Sequence, residues 1–140
     1  MIQSDKKCVM IIDSALPPGI IANTAALLGI TLGKKQPGQV GQDVTDAAGM
    51  IHLGISTIPV PVLAGSASGL KVLRSRLYEP EFAGVIVADF SDVAQRCNSY
   101  DVYTAQAAST TGNDFVYLGL ALYGEKRLVN KLTGSLPLLR

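Results

Sequence analysis

Apolar and polar residues alternate in blocks along this chain, and the blocks predict strands separated by helices. Residues 8–13 and 84–90 are short runs of branched apolar residues bounded by turn residues, which is typical of buried strands. Residues 115–123 are apolar at successive positions, so we predict a central strand that is covered on both faces. The chain therefore contains at least three predicted strands that need helices on both sides.

A long uncharged stretch after the first strand has helical periodicity. Pro17 and Pro18 suit the start of a helix, and the apolar residues recur at steps of four, three and four, at Ile21, Ala25, Leu28 and Leu32. This spacing predicts one buried helical face. Gly29 or Gly33 is expected to end the helix.

Further helix starts are marked by serine and aspartate. Ser66 or Ser68 is suited to cap a helix that ends before Pro80 and turns three leucines inward, Leu70, Leu73 and Leu77. Short helices are predicted at 91–98 and 101–108, the first opened by Ser91 and the second by Ser99 or Asp101. A last helix is predicted at about 125–132.

The segment 56–65, STIPVPVLAG, predicts a strand at the edge of a sheet. Pro59 and Pro61 lack the N–H groups that a strand donates on one side, so only an edge strand tolerates both. Residues 34–49 are loop-like and leave room for a small hairpin. Together the elements predict one domain over residues 1–140, a three-layer α/β/α sandwich around a small mixed sheet of about four strands.

Composition narrows the function classes. Charged residues are 16% of the chain and apolar residues 48%, and a subunit interface would account for part of this apolar excess. A net charge of +1 argues against nucleic acid as a partner. Cys8 and Cys97 lack metal-ligand spacing and indicate reduced thiols in a cytoplasmic protein, with no cofactor or metal expected. Residues 14–33 are uncharged, but their prolines make a membrane span improbable, so no membrane association is predicted.

Several segments resemble known families. LPPGIIANTAALLG, DVTDAAG, TIPVPVLAG, YLGLALYG and LTGSLPLLR together resemble a bacterial family catalogued as domain of unknown function 2000, over nearly the whole chain. The ending LYGEKRLVNKLTGSLPLLR is similar to the end of type II peptidyl-tRNA hydrolases. The resemblance to the uncharacterised family implies the hydrolase-like fold, with the last strand between the first and third, and a homodimer.

The hydrolase resemblance also implies site residues, and the sequence departs from them. Ile20 and Ala22 stand where those hydrolases have two lysines near the start of the first helix. Asp89 occupies the strand-end aspartate position, but Val93 stands where a threonine is expected. Thr110 or Thr111 replaces that threonine only after an insertion of about twenty residues. The missing cations favour a small anionic ligand at the helix start over peptidyl-tRNA.

The candidate site residues surround two strand ends. Asp13 and Asp89 end predicted strands and, with the last strand between them, their backbones are expected about 9.6 Å apart. The alternative that both cap turns or helices is favoured. With Thr110 they form the candidate catalytic set, and the candidate ligand-binding residues are Ser14, Gly19, Asn23, Ser91 and Tyr123.

Three hypotheses follow for the function. The first is a small-anion-binding module, and the second is a hydrolase of altered mechanism that uses Asp89 and Asp13 on peptidyl-tRNA or a small ester or amide. The third is a structural or oligomeric protein. Cys97 as a nucleophile and His52 as its base are disfavoured against a buried thiol and a hairpin residue.

Overall fold

The computed structural model describes residues 5–140, which form six strands and five α-helices. The strands are β1 (Lys6–Asp13), β2 (Val44–Thr45), β3 (Ile51–His52), β4 (Val62–Gly65), β5 (Ile86–Ser91) and β6 (Tyr117–Glu125). The helices are α1 (Pro18–Lys35), α2 (Ala67–Arg76), α3 (Asp92–Gln95), α4 (Tyr100–Ala108) and α5 (Lys126–Thr133).

Four strands form one mixed sheet in the order β4-β1-β6-β5. β1 is parallel to β4, and β6 is antiparallel to both β1 and β5. The prediction of a central last strand is therefore confirmed. Because β1 and β5 both run opposite to β6, they run in the same direction and end at the same edge of the sheet.

One face of the sheet packs against α2 and α5. Alternate residues of β1 and β6 point to this face, and they are large and branched: Val9, Ile11, Leu120 and Leu122. They contact buried residues of the two helices, Leu70, Leu128, Val129 and Leu132. Each of these side chains removes apolar surface from water, so this layer is the larger of the two cores.

The other face packs against α1, and its sheet residues are smaller. Ala88 and Ala121 lie there with Cys8 and Met10, against Leu28 and Leu32 of the helix. Gly119 is required at the crossing point, since a Cβ atom there would lie 2.7 Å from Thr24 Cγ2 and 3.2 Å from a Leu28 methyl group. Helix α1, the sheet and the pair α2 and α5 make three layers, as predicted.

Two predicted boundaries are wrong. Helix α1 passes through Gly29 and Gly33 and ends at Lys35, because glycine only lowers helix stability whereas Pro37 prevents its continuation. Strand β4 begins at Val62, so the two prolines precede it. β4 is at the sheet edge as predicted, but the tail covers it: Ala64 N–H donates to Pro137 O and Leu139 N–H to Val62 O.

The predicted helix caps are confirmed at three serines. Ser66 accepts a hydrogen bond from Gly69 N–H, Ser91 from Ala94 N–H and Ser99 from Val102 N–H. Each serine hydroxyl satisfies an N–H group that the first helical turn leaves without an intrahelical partner. These caps fix where α2, α3 and α4 begin, and the last two frame the site described below.

Residues 41–55 form a small β2–β3 hairpin, here called the hairpin arm. Its turn is DAAG: Gly49 N–H donates to Asp46 O, and Gly49 has a φ of 83°, which a residue with a side chain rarely adopts. Asp46 Oδ1 accepts hydrogen bonds from Ala48 N–H and Met50 N–H. The loop prediction with a small hairpin is confirmed.

Candidate functional site

The two predicted aspartates lie at the same edge of the sheet but have different partners. Asp13 Oδ1 accepts a hydrogen bond from Ala15 N–H at 3.0 Å, and its carbonyl accepts one from Leu16 N–H. This is a side-chain-closed turn of the kind that aspartate commonly forms. The structure therefore gives Asp13 a structural contact between β1 and α1.

Asp89 forms an ion pair across the sheet edge with a residue of α2. Arg74 Nε donates to Asp89 Oδ2 at 2.9 Å, and the two side chains are 16% and 28% exposed, respectively. The Arg74 guanidinium also lies 4.2 Å from the centre of the Tyr78 ring, a cation–π distance. The sequence alone does not predict this contact, because the position of Arg74 opposite Asp89 depends on strand order.

A cavity of about 540 Å³ lies beside Asp89, between α1 and the α3–α4 pair, and is here called the α1–α4 cavity. Its α1 side is largely apolar and its α3–α4 side contains amide, hydroxyl, thiol and phenol groups. The lining residues are Leu27, Leu28, Ile30, Thr31, Asp89, Phe90, Ala94, Cys97, Asn98, Ser99, Tyr100 and Tyr103. Apolar walls with a few convergent polar groups are typical of small-molecule sites.

Two tyrosines of α4 border this cavity. The rings of Tyr100 and Tyr103 pack edge to face with centroids 5.5 Å apart. Burial raises the pKa of Tyr103, and the Asp89 carboxylate raises it further. Both effects favour the protonated, uncharged form of the Tyr103 phenol.

Asp89 has the same effect on a tyrosine in β6. Burial is the larger cause of the raised pKa of Tyr117, and the Asp89 charge adds to it, while Arg74 acts in the opposite direction. Tyr117 lies opposite Ser91, where the β5–β6 pairing shifts register after Phe90. One carboxylate thus influences phenols on two sides of the sheet edge.

Cys97 lies in the cavity wall with its thiol hydrogen-bonded. Its Sγ donates to Val93 O at 3.0 Å and lies 3.6 Å from Gln106 Oε1. His52, the candidate base for a cysteine nucleophile, is on the hairpin arm, where its Nε2 lies 2.8 Å from Asp46 Oδ2. The two residues belong to separate parts of the fold, and their disfavoured pairing has no structural support.

The other predicted site residues do not form one group. Ser14, Gly19 and Asn23 lie near the start of α1, whereas the cavity contains α1 residues only from Leu27 onward. Ser14 N–H and hydroxyl both approach Gly65 O, at 3.1 and 3.4 Å. Tyr123 pairs with Cys8 and Ile86, near the starts of β1 and β5, so it lies toward the opposite end of the sheet from Asp13.

The hydroxyls of the candidate binding residue Ser91 and the candidate catalytic residue Thr110 both have backbone partners. Ser91 is buried and its Oγ caps α3, while Thr110 Oγ1 donates to Gln106 O at 2.7 Å. Asp89 is the predicted catalytic or binding residue that reaches the cavity. Tyr103 also lines the cavity, and its position relative to Asp89 is not predictable from sequence spacing because it depends on how α4 packs.

Two classes of site lack support in the described part of the chain. Among residues 5–140, no three His, Cys, Asp or Glu side chains are grouped so that they could hold a metal ion. Over the same residues, no helix has both the length and the apolar character needed to cross a bilayer. The described geometry is instead that of a four-stranded mixed α/β/α protein with a cavity at the end of an edge strand.

The comparisons with known proteins agree with that fold. The family model described as "Protein of unknown function (DUF2000)" matches residues 6–140, and the chain belongs to this family. A solved structure of a protein of unknown function, Atu0240 from Agrobacterium tumefaciens strain C58, superposes with a TM-score of 0.87 at 18% identity, covering 97% of this chain and 98% of that one. No curated protein matches. The resemblance to type II peptidyl-tRNA hydrolases stays a prediction.

Proposed function

We propose that this protein binds a small ligand with an apolar body and an anionic head group in the α1–α4 cavity. The observation that supports this is the cavity itself: about 540 Å³, beside the end of β5, with apolar walls on α1 and polar groups on α3–α4. Small-molecule sites commonly measure roughly 300–1,000 Å³ and have this division of surface. The ligand body is expected against Leu27 and Ile30.

The start of α4 is the place for the head group. Asn98, Ser99 and Tyr100 line the cavity there, and the Ser99 hydroxyl caps the helix by accepting from Val102 N–H. The first turn of a helix leaves several N–H groups without intrahelical acceptors and presents partial positive charge, which favours an anion. The negative charge of Asp89 is balanced by Arg74. We therefore propose the anion site at the start of α4, whereas the sequence predicts it at the start of α1.

The contacts of the candidate catalytic residues favour binding over hydrolysis. A general base must reach the proton it removes, but the Asp89 carboxylate is held by Arg74 at 2.9 Å. Thr110 Oγ1 donates its proton to Gln106 O, Ser91 Oγ is buried and accepts from Ala94 N–H, and neither residue lines the cavity. The α1–α4 cavity therefore supplies walls and hydrogen-bond donors, and these are sufficient for a binding protein.

A thermal-unfolding screen with matched ligand pairs tests this proposal. Small carboxylates with apolar bodies are compared with their neutral amides, and a ligand present at 100 times its Kd should stabilise the protein by about 2.7 kcal/mol. Carboxylates are expected to raise the melting temperature more than their amides do. Equal shifts for both members would contradict the anionic head group, and a flat response throughout would contradict the proposal.

A cavity-filling variant locates the binding site. Leu27→Trp places a larger side chain in the cavity wall, and we expect it to abolish the ligand-dependent shift. Val72→Trp is the matched control, because Val72 is an exposed apolar residue on α2, outside the cavity. Retention of the shift in Leu27→Trp, or its loss in both variants, would contradict binding in the α1–α4 cavity.

A further inference from the structure

The hairpin arm exposes large apolar side chains in unusual density. The exposed fractions are 60% for Val44, 63% for Met50, 71% for Ile51, 79% for Leu53 and 78% for Ile55. Every residue from 42 to 53 is exposed. Single exposed apolar residues are normal on a protein surface, whereas a contiguous group marks an interaction site.

The arm holds its shape through its own polar contacts. Its base is closed by Gly41 N–H donating to Ile55 O, and Gly54 N–H donates to Asp43 Oδ1 at 3.0 Å. The tip is closed by the hydrogen bonds to Asp46, including the 2.8 Å contact with His52. A partner therefore meets an arm that is already ordered, which lowers the entropy cost of docking.

Charge indicates what kind of partner fits. Residues 36–70 contain Asp43 and Asp46 but no Lys or Arg, so all twelve basic residues lie elsewhere, with nine of the eleven acidic ones. An arm with a net charge of −2 is repelled by an anionic lipid surface, which basic segments recognise. The rest of the same chain has a net charge of +3, so the arm is electrostatically complementary to another copy of this protein.

The body presents a matching face where α1 ends beside β5. A cavity of about 720 Å³ there, here called the acceptor face, is lined by Thr31, Leu32, Lys34, Lys35, Ala83, Val85, Ile86, Val87 and Ala88. Among residues 5–140, Lys34 and Lys35 form no ion pair, and β5 has a hydrogen-bonded neighbour on one side only. A free strand edge accepts an added strand from another chain.

We propose that the hairpin arm of one copy docks on the acceptor face of a second copy, and that the exchange is reciprocal in a homodimer. The apolar arm residues cover Ala83 and Ile86, and the arm aspartates approach Lys34 and Lys35. Each copy then contributes twelve arm residues and nine acceptor residues. This approaches the roughly 20–30 residues that each side of a stable interface contains.

Sedimentation measurements on matched variants test the arm. The wild-type chain is expected to sediment as a dimer and Leu53→Glu/Ile55→Glu as a monomer, with the dissociation constant raised at least about tenfold for each docked arm because charged groups would be buried without partners. Val72→Glu is the control, since Val72 is 59% exposed but lies outside both surfaces. A monomeric wild type, or an arm variant that remains dimeric, overturns the proposal.

Mixing two defective variants tests the acceptor face. Lys34→Glu/Lys35→Glu is expected to be monomeric by itself, with an unchanged circular dichroism spectrum. Mixed with Leu53→Glu/Ile55→Glu, it should form a heterodimer weaker than wild type, because one intact arm then meets one intact acceptor face. Absence of a heterodimer overturns this acceptor face. Co-sedimentation of wild-type chain with neutral phosphatidylcholine vesicles, lost in the arm variant, would overturn the second copy as the occupant.

Discussion

The two faces of the central sheet differ in the size of the side chains that they bury. Toward α2 and α5 the sheet presents Val9, Ile11, Leu120 and Leu122, all fully buried. Toward α1 it presents smaller residues, including Ala88, Ala121 and Gly119, and three cavities include α1 residues in their walls. A cavity of about 350 Å³ borders α2 on the other face. The α1 face therefore leaves more space in which a ligand or a partner can lie.

The largest effects are expected when one leucine on each side of the sheet is truncated to alanine. Leu120→Ala should lower the free energy of unfolding by about 3–5 kcal/mol, because the space it leaves is enclosed by α2 and α5. Leu28→Ala should cost about 2–3 kcal/mol, since Leu28 already borders the α1–α4 cavity and its loss extends a space that is open to solvent. Urea unfolding measures both, and equal losses would contradict the comparison.

A smaller effect is expected where the two faces meet, at Asp89. Asp89→Asn removes the charge that helps to raise the pKa of Tyr103 and Tyr117, so both phenols should ionise at lower pH while burial keeps them above the ordinary value. Loss of the ion pair with Arg74 should also cost about 1–2 kcal/mol of stability near neutral pH. The absorbance of tyrosinate during alkaline titration measures the first effect.

The sign of the pH dependence follows from the raised pKa values. Each tyrosine resists ionisation in the folded chain, so its stabilising contribution is complete below the unfolded pKa of about 10 and is lost as the pH rises through the folded value. Asp89→Asn should therefore reduce the loss of folding stability that accompanies tyrosine ionisation at alkaline pH. If the tyrosines titrate identically in wild type and variant, the Asp89 charge does not raise the pKa of Tyr103 and Tyr117, and this prediction is wrong.

The smallest test compares two buried threonines. Among the described residues, Thr24 Oγ1 on α1 is buried without a hydrogen-bond partner, whereas Thr133 Oγ1 on α5 donates to Val129 O at 2.8 Å. Thr24→Val should therefore raise the free energy of unfolding by about 1 kcal/mol, because an unsatisfied hydroxyl is removed. Thr133→Val should lower it by a similar amount, and the same sign for both would contradict the assignment.

Much of the fold could be predicted because it depends on local patterns. The apolar run of β6, the serine caps of α2, α3 and α4, and the edge position of β4 each follow from a few neighbouring residues. The predicted end of α1 at Gly29 or Gly33 is too early, because both glycines keep helical backbone angles and the helix continues to Lys35. Glycine lowers helix stability but does not by itself end a helix.

The candidate site was less predictable because it depends on distant residues. Asp89 is predictable as a strand-end carboxylate, but its partner Arg74 comes from the preceding helix, and no local pattern joins the two residues. The predicted binding residues Ser14, Gly19 and Asn23 lie near the start of α1, whereas the cavity adjoins the second half of that helix. Which part of a long helix faces a cavity is decided by the crossing of α1 over Gly119 and by the position of α4, and neither is a local property.

The position of β6 has a consequence for the chain during its synthesis. Lys6 pairs with Glu125, so β1 obtains its central neighbour only after nearly the entire sequence has been translated. Until then one edge of β1 has no strand partner, and an open strand edge favours aggregation. A nascent chain that ends before Tyr117 therefore lacks the strand that joins the β1–β4 pair to β5.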